Sequence, residues 1–370
     1  MQYHHYIPRF LLRNFSIDNN ERIFLLQIYD RKTDQLDVSL VSRTFGYVDM
    51  YRNIKYEDEM RVEKELSELE RRASNVVKEI IKESQAASQV TLFRKDLYDL
   101  RKFLHVMNYR NTSRWSQFTE KRFDAQTLKM VEDFMQEHKL QSAKEVWLQN
   151  IYETIKTPYD VVEANPRIFS LDRDEFMFRK NYYVVIWQAG ENDEFIVTNN
   201  GFGIFEGVNG MIFQSQFQFA FHFFYVISPK LMLVLCNNFF RNETTKNLMY
   251  KFFGRDHSVF ENAPRPLASS RYIAPGEYRE NDTFTFPFVK LPSATVHLVN
   301  SFFLNEARPE LVLAFLSHSY LYKLICKYPK FDKELGLVTQ DFMSLKKQLF
   351  KELNRTHKED LCFRKNISTD

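Results

Sequence analysis

YEDEMRVEKELSELERRASNVVKEIIKES, residues 56–84, is the most strongly patterned stretch of the chain. Val62, Leu66, Leu69, Ala73, Val76 and Ile80 recur three and four residues apart, which places one apolar stripe on an otherwise charged helix. A second pattern of this kind covers about 92–118, with Leu97, Leu100, Leu104 and Met107 as its stripe. Only the short polar link QAASQV separates the two, so they are expected to pack antiparallel. Residues 121–156 add one or two further helices, around Met130, Val131 and Phe134 and then Val146, Trp147, Ile151 and Ile155.

Outward from this helical block the period changes. YYVVIWQA (182–189) and EFIVT (194–198) are β-branched and aromatic on either side of the turn-forming GENDE, and together predict a hairpin. FQFAFHFFYVISPKLMLVLCNNFF (217–240) reads as two buried strands turning at Ser228-Pro229-Lys230. Upstream, β-rich runs at 22–29 and 36–42 predict another hairpin; Ile23, Leu25 and Ile28 do not alternate strictly, so a bulge or burial on both faces is expected there. Five of the eleven prolines fall between residues 254 and 293, which reads as a surface insertion. Closing helices are expected around 311–328 and 341–354, with a polar, fraying tail. Helices segregated from strands define an α+β class: a helical layer packed on a mostly antiparallel β-sheet. The expected organisation is a single large domain over 1–370. It has a helical part at about 56–160, a β-rich part at about 180–240, the proline-rich insertion at about 254–293 and C-terminal helices at about 298–355.

Composition narrows the function classes. Lys+Arg 51 against Asp+Glu 48 gives a formal charge of +3 spread along the chain, so nucleic acid as a partner has no support from net charge. Thirty-six phenylalanines and nineteen tyrosines beside nine glycines describe an aromatic core with few tight turns. Cys236, Cys326 and Cys362 form no C-x-x-C pair and suit a reducing compartment, cytoplasmic or nuclear. No signal peptide or membrane-spanning segment is read: the most apolar run, 217–240, is broken by Gln218, His222, Pro229 and Lys230.

The N-terminal HHYIPRFLLRNF (4–15) puts two histidines, a proline, two arginines and an asparagine on one short segment. Pro8 suits the first position of a short helix running to residue 15, with Arg9 and Arg13 on one face and Leu11 and Phe15 on another. His4 and His5 precede it in extended chain, where a neutral ring could accept a proton or a metal, or be satisfied by hydrogen bonds. Glu63 and Glu70 return to the same side of the long helix two turns apart, about 10 Å along the axis, so each is expected to meet its own partner. Arg110, on the second helix, is placed to face one of them in a Glu–Arg network. Four of the nine glycines, at 201, 203, 207 and 210, follow the strand ending in TNN. Their spacing is not the dinucleotide fingerprint, and they read as a loop needing positive backbone angles.

HHYIPRFLLRNF resembles the opening of the domain-of-unknown-function family 4238, which begins His-Tyr-[Val/Ile]-Pro followed by an aromatic, a leucine, a basic residue and phenylalanine. EKELSELE (63–70), FLHVMNYR (103–110), FIVTNNGF (195–202) and YVISPKLML (225–233) match it in order, with Asn300 as a fifth point, so the resemblance spans residues 3 to about 307. It implies motif positions, not a chemistry. The family commonly has a glutamine three residues before the arginine, where this chain has Met107 followed by Asn108. Where relatives carry an aspartate this chain has Asn199, an amide that cannot act as a base and ligates divalent ions poorly.

Two readings follow. In one, the protein is a non-catalytic binding or effector protein of this family, its polar residues forming a satisfied network and its proline-rich insertion meeting a partner that the sequence leaves unknown. In the other it is a hydrolase of nucleic acid or another phosphoester. His5, Glu63, Glu70, Arg110 and Asn199 are then the candidate catalytic cluster, Arg9, Asn200 and Asn300 line the ligand, and a divalent metal is the cofactor. Convergence of the first set around an open pocket supports the second reading; the same groups buried and mutually paired support the first.

Overall fold

A computed structural model describes residues 2–29, 33–53, 57–161, 163–199, 202–212, 215–252, 258–305, 310–335 and 346–354. The fold is α+β. The chain opens with β1 (Tyr3–His5) and α1 (Arg9–Leu12), then β2 (Arg22–Tyr29), β3 (Thr33–Leu40) and β4 (Gly46–Val48). The helical block follows as α2 (Arg61–Ala86), β5 (Gln89–Phe93), α3 (Arg94–Tyr109), α4 (Thr112–Thr119), α5 (Ala125–Glu137), α6 (Ala143–Lys156) and α7 (Ser170–Arg179). Next come β6 (Tyr182–Gln188), β7 (Val197–Thr198), β8 (Phe202–Ile212), β9 (Ser215–Ser228), β10 (Leu231–Asn237) and α8 (Glu243–Phe252). The described part ends with β11 (Ser269–Arg271), β12 (Thr283–Lys290), α9 (Ser293–Asn305), β13 (Glu310–Phe315), α10 (His318–Leu335) and helical residues 346–354.

The long helix buries the stripe legible in its sequence: Val62, Leu66, Leu69, Ala73, Val76 and Ile80 all lie in the core, against α3 and α6. Trp147 of α6 is fully buried there and donates its indole N–H to the Tyr109 carbonyl at 2.8 Å, a polar contact inside a largely apolar interface. The main sheet has the order β11-β12-β6-β10-β9-β8, with β5 also pairing with β12, and among the described residues only β12 and β6 run parallel. Alternate residues of β9 face two different layers. Phe223 packs against Tyr182 and lies 4.0 Å beneath the Arg179 guanidinium, whereas Phe224 meets Phe260 and the α9 side chains Phe302 and Phe303. Covering on both faces is why this strand reads as a nearly continuous apolar run.

Several expectations are corrected. The second predicted helix, 92–118, is a strand, β5, followed by two helices broken at Arg110 and Asn111; the Asn111 side chain caps α4 by accepting from the Arg114 N–H at 2.8 Å. EFIVT does not form a hairpin with YYVVIWQA. β6 pairs with β10 and β12, while β7 joins the four-stranded sheet β3-β2-β13-β7. The glycine-bearing stretch after Asn199 is largely the strand β8. The proline-rich segment is not wholly a surface insertion, because its β12 holds β5, β6 and β11 together. Strand β13 takes the start of the helix expected at 311–328, and 341–345 lie outside the described residues. Residues 22–29 and 33–40 do pair as a hairpin, in regular register with no bulge. Burial of both Leu25 and Leu26 follows from the central place of β2 between β3 and β13.

Candidate functional site

Strand β1 pairs antiparallel with β4, placing His5 opposite Gly46. A side chain at Gly46 would put its Cβ 2.4 Å from the His4 carbonyl oxygen, so this close pairing needs glycine. Pro8 does not open the helix from inside: it sits at the N-cap with ψ 138°, and its carbonyl accepts from the N–H groups of Leu11 and Leu12. The four-residue helix then tightens into a 3-10 turn, Arg13–Phe15, and buries Leu11, Leu12 and Phe15.

Arg110, just past α3, reaches back to this segment and is only 2% exposed. Its Nε donates to the Tyr51 hydroxyl at 3.0 Å, one Nη to Glu70 at 2.5 Å and the other to the His5 carbonyl at 2.6 Å. Tyr51 also donates to the His5 carbonyl at 3.3 Å, and its own N–H is accepted by His4 Nδ1 at 3.0 Å. This last bond sets the His4 tautomer with its proton on Nε2, a buried atom with no partner among the described residues. Burial lowers the pKa of both His4 and His5, and the Arg110 charge adds to the effect. The His5 ring bonds the Val41 carbonyl at 3.1 Å. For Arg110 itself, burial disfavours the charge, but the Tyr51 and Glu70 partners more than offset it and the guanidinium stays charged.

Glu63 stands beside this group without joining it. Its Oε2 is buried and unpartnered among the described residues, and burial raises its pKa to about 7 against the pull of Arg110, with Glu70 repelling it further. It borders an open cleft of about 510 Å³ lined also by Gln2, Met60, Lys64, Ser67, Glu68 and Arg71. Thus the structure brings His5, Glu63, Glu70 and Arg110 together, with all three nitrogens of the arginine engaged.

The other candidates lie elsewhere. Arg9 and Arg13 share an exposed ion pair with Glu21, at 3.2 and 2.7 Å. Asn199 extends the β7–β13 pairing: its N–H donates to the Val312 carbonyl at 2.8 Å and its side-chain oxygen accepts from Val312 N–H at 3.3 Å. Asn200 lies outside the described residues. Asn300 is a buried structural amide, accepting from Ile196 N–H at 3.1 Å and donating to the Glu194 carbonyl and the Tyr320 hydroxyl at 2.7 and 2.8 Å. Among the described residues, no group of three or more His, Cys, Asp or Glu side chains is placed to hold a metal ion.

Two polar clusters were not read from the sequence. In the first, Asn108, Arg114 and Arg179 all donate to the carboxylate of Glu175, at 2.9, 3.1 and 2.7 Å, and Arg179 also donates to the Tyr225 hydroxyl at 2.8 Å. The i,i+4 pair Glu175–Arg179 within SLDRDEFMFR was the available local signal. In the second, Ser258, His222 and Glu206 resemble a hydrolytic triad: Ser258 Oγ donates to Glu206 at 3.1 Å and lies 3.5 Å from His222 Nδ1, which is 2.8 Å from Glu206. The Arg265 Nε, however, donates to His222 Nε2 at 2.8 Å. Both ring nitrogens are therefore engaged and the imidazole is buried, so it has no free position from which to act as a base. The cluster anchors residues 258–265 to the β8–β9 ribbon.

Fold and site together describe an α+β protein whose N-terminal strand is fastened to a helical layer through one buried arginine. A family model described as "Protein of unknown function (DUF4238)" matches residues 3–315, and the chain belongs to that family. Comparison with curated proteins and with solved structures found no match. Among the described residues, no helix is long and apolar enough to cross a membrane.

Proposed function

We propose that this chain is a non-catalytic binding or effector protein, built as one large domain and working in the cytoplasm or nucleus. The observation that carries the reading is the state of Arg110: 2% exposed, with all three nitrogens bonded, to Tyr51, Glu70 and the His5 carbonyl. A guanidinium that is buried, with each of its nitrogens already engaged, is not presented to a substrate; it holds the N-terminal segment in place. The neutral amide at Asn199, spent on sheet pairing, supports the same reading. A partner-facing surface is offered by the proline-rich segment, where Ile273 and Tyr278 are 62% and 81% exposed. The two unpaired cysteines among the described residues, Cys236 and Cys326, fit a reducing compartment.

The phosphoester-hydrolase reading keeps one observation in its favour, the protonatable Glu63 at the edge of an open cleft. The discriminating experiment assays the purified chain on single- and double-stranded DNA and RNA and on a phosphodiester ester, with Mg²⁺ or Mn²⁺, beside Glu63→Gln, Glu70→Gln and Asn199→Asp. The expected result is no turnover in any of them, with Glu70→Gln lowering the melting temperature. Turnover in the wild type that disappears in Glu63→Gln or Glu70→Gln sinks the binding reading and installs the hydrolase.

A further inference from the structure

We propose that Asn108, Arg114 and Arg179 form a cradle for a phosphate group, and that the Glu175 carboxylate is the displaceable internal occupant of that cradle. Three helices and two strands converge on it. Asn108 comes from α3, Arg114 from α4, Glu175 and Arg179 from α7 and Tyr225 from β9, while the backbone of β8 closes over Asn108 at Gly203. Gly203 has φ +78°, and a Cβ there would lie 2.7 Å from Asn108 Oδ1, so the approach of strand to amide depends on glycine.

Charge is out of balance at this point. Two guanidiniums share one carboxylate, and the next acid, Asp172, lies 3.9 Å from Arg114 with its carboxyl buried and bonded to Asn150. Burial raises the Asp172 pKa against the pull of Arg114. Glu175 behaves oppositely: burial would raise it, but Arg179 and Arg114 outweigh that and hold it at about 2. Further cations crowd the same side. Arg101 donates to the carbonyls of Arg179, Lys180 and Tyr182, and Lys180 to that of Val161; neither has a carboxylate within 4.0 Å among the described residues. Arg179 is buried and Arg114, Arg101 and Lys180 are half-buried, and such a concentration of positive charge suits an anion.

Two further features fit a ligand-binding role. His105 is 2% exposed, is packed on Phe176 and Tyr109, and has both ring nitrogens unpartnered among the described residues, as is the buried Nε of Arg179. The cluster is also open on one side, the Glu175 and Arg114 side chains being 25% and 30% exposed. The proposal requires Glu175 to turn toward that open side when phosphate enters. A phosphate dianion matches two guanidinium forks and an amide donor in both charge and geometry.

The proposal does not rest on the reading of Arg110, and its test is binding rather than turnover. The full chain is titrated with inorganic phosphate at constant ionic strength, against sodium chloride and sodium acetate, with melting temperature and calorimetric Kd as readouts, for wild type, Glu175→Gln, Arg114→Lys and Arg114→Gln. Glu175→Gln removes the competing charge while keeping the side chain's shape. It should melt lower than wild type without phosphate, regain stability with it, and bind phosphate on the order of tenfold more tightly. Arg114→Lys keeps the charge but not the fork, and should weaken binding about tenfold; Arg114→Gln should weaken it further. Circular dichroism establishes folding of each variant, and Arg114→Lys serves if Arg114→Gln does not fold. A phosphate response equal to that of chloride or acetate overturns the proposal, as does a Kd unchanged by Glu175→Gln and Arg114→Lys.

Discussion

Asn108 and Arg110 leave the end of α3 two residues apart and enter opposite surroundings. On one side a single buried guanidinium meets one carboxylate, one hydroxyl and one carbonyl, so that each of its three nitrogens is engaged. On the other, two guanidiniums and an amide crowd onto one carboxylate, with buried nitrogens of Arg179 and His105 left without partners among the described residues. Both are Glu–Arg networks, and a list of ion pairs would not separate them. The balance of charge and the access to solvent do: a saturated network is a fastening, and an oversupplied one has room for a ligand.

Breaking the saturated side should have the largest effect. Arg110→Met removes the one group that bonds the N-terminal strand, Tyr51 and α2 together, and is expected to cost about 3–5 kcal/mol, as for a buried pair that loses one partner. Chemical denaturation measures this. Arg114→Met, on the half-open side where Arg179 still holds Glu175, should cost about 1 kcal/mol or less. Equal losses for the two would erase the contrast drawn between the networks.

Glu63 sharpens the comparison through pH. Its folded pKa of about 7 lies above the ordinary 4.5, so the folded state holds a proton that the unfolded chain releases. Stability must then fall as pH climbs from about 4.5 to about 7 and level off above that, by up to about 3 kcal/mol from this group. Asp172 and Glu194, both raised to about 7 by burial, act in the same direction. The readout is accordingly the difference between wild type and Glu63→Gln, whose stability profile should be flatter across that window. Identical profiles would mean that Glu63 is hydrated and ordinary.

A smaller effect than that of Arg110→Met is expected at Tyr51→Phe. It removes one hydroxyl that accepts from Arg110 and donates to the His5 carbonyl, and should cost about 1–3 kcal/mol, towards the lower end because both neighbours keep other bonds. A loss as large as that of Arg110→Met would show that the tyrosine, and not the arginine, is the fastening.

The local code for the helical block was readable because α2 writes its core stripe at a fixed period of three and four residues. The same periodicity placed Glu63, Glu70 and Arg110 near one another, and the structure joins Arg110 to Glu70. What was misread depended on remote pairing. EFIVT has the composition of a strand, but its partner β13 lies more than a hundred residues later, and nothing local distinguishes that pairing from a hairpin with β6. Nor could Tyr51 be foreseen: it stands outside any strand or helix and matters only because β1 and the end of α3 meet over it. Glu175 and Arg179 were legible as a helical pair, but the arrival of Arg114 and Asn108 from two other helices was not.

By itself the sequence determined the periodic elements, the α+β class and the residues able to carry charge, since these follow from side-chain chemistry at short spacing. Only the tertiary structure decided which charges are shared, which are saturated and which face water. Those outcomes depend on desolvation and on groups brought together from distant parts of the chain, and neither is a property of any one segment.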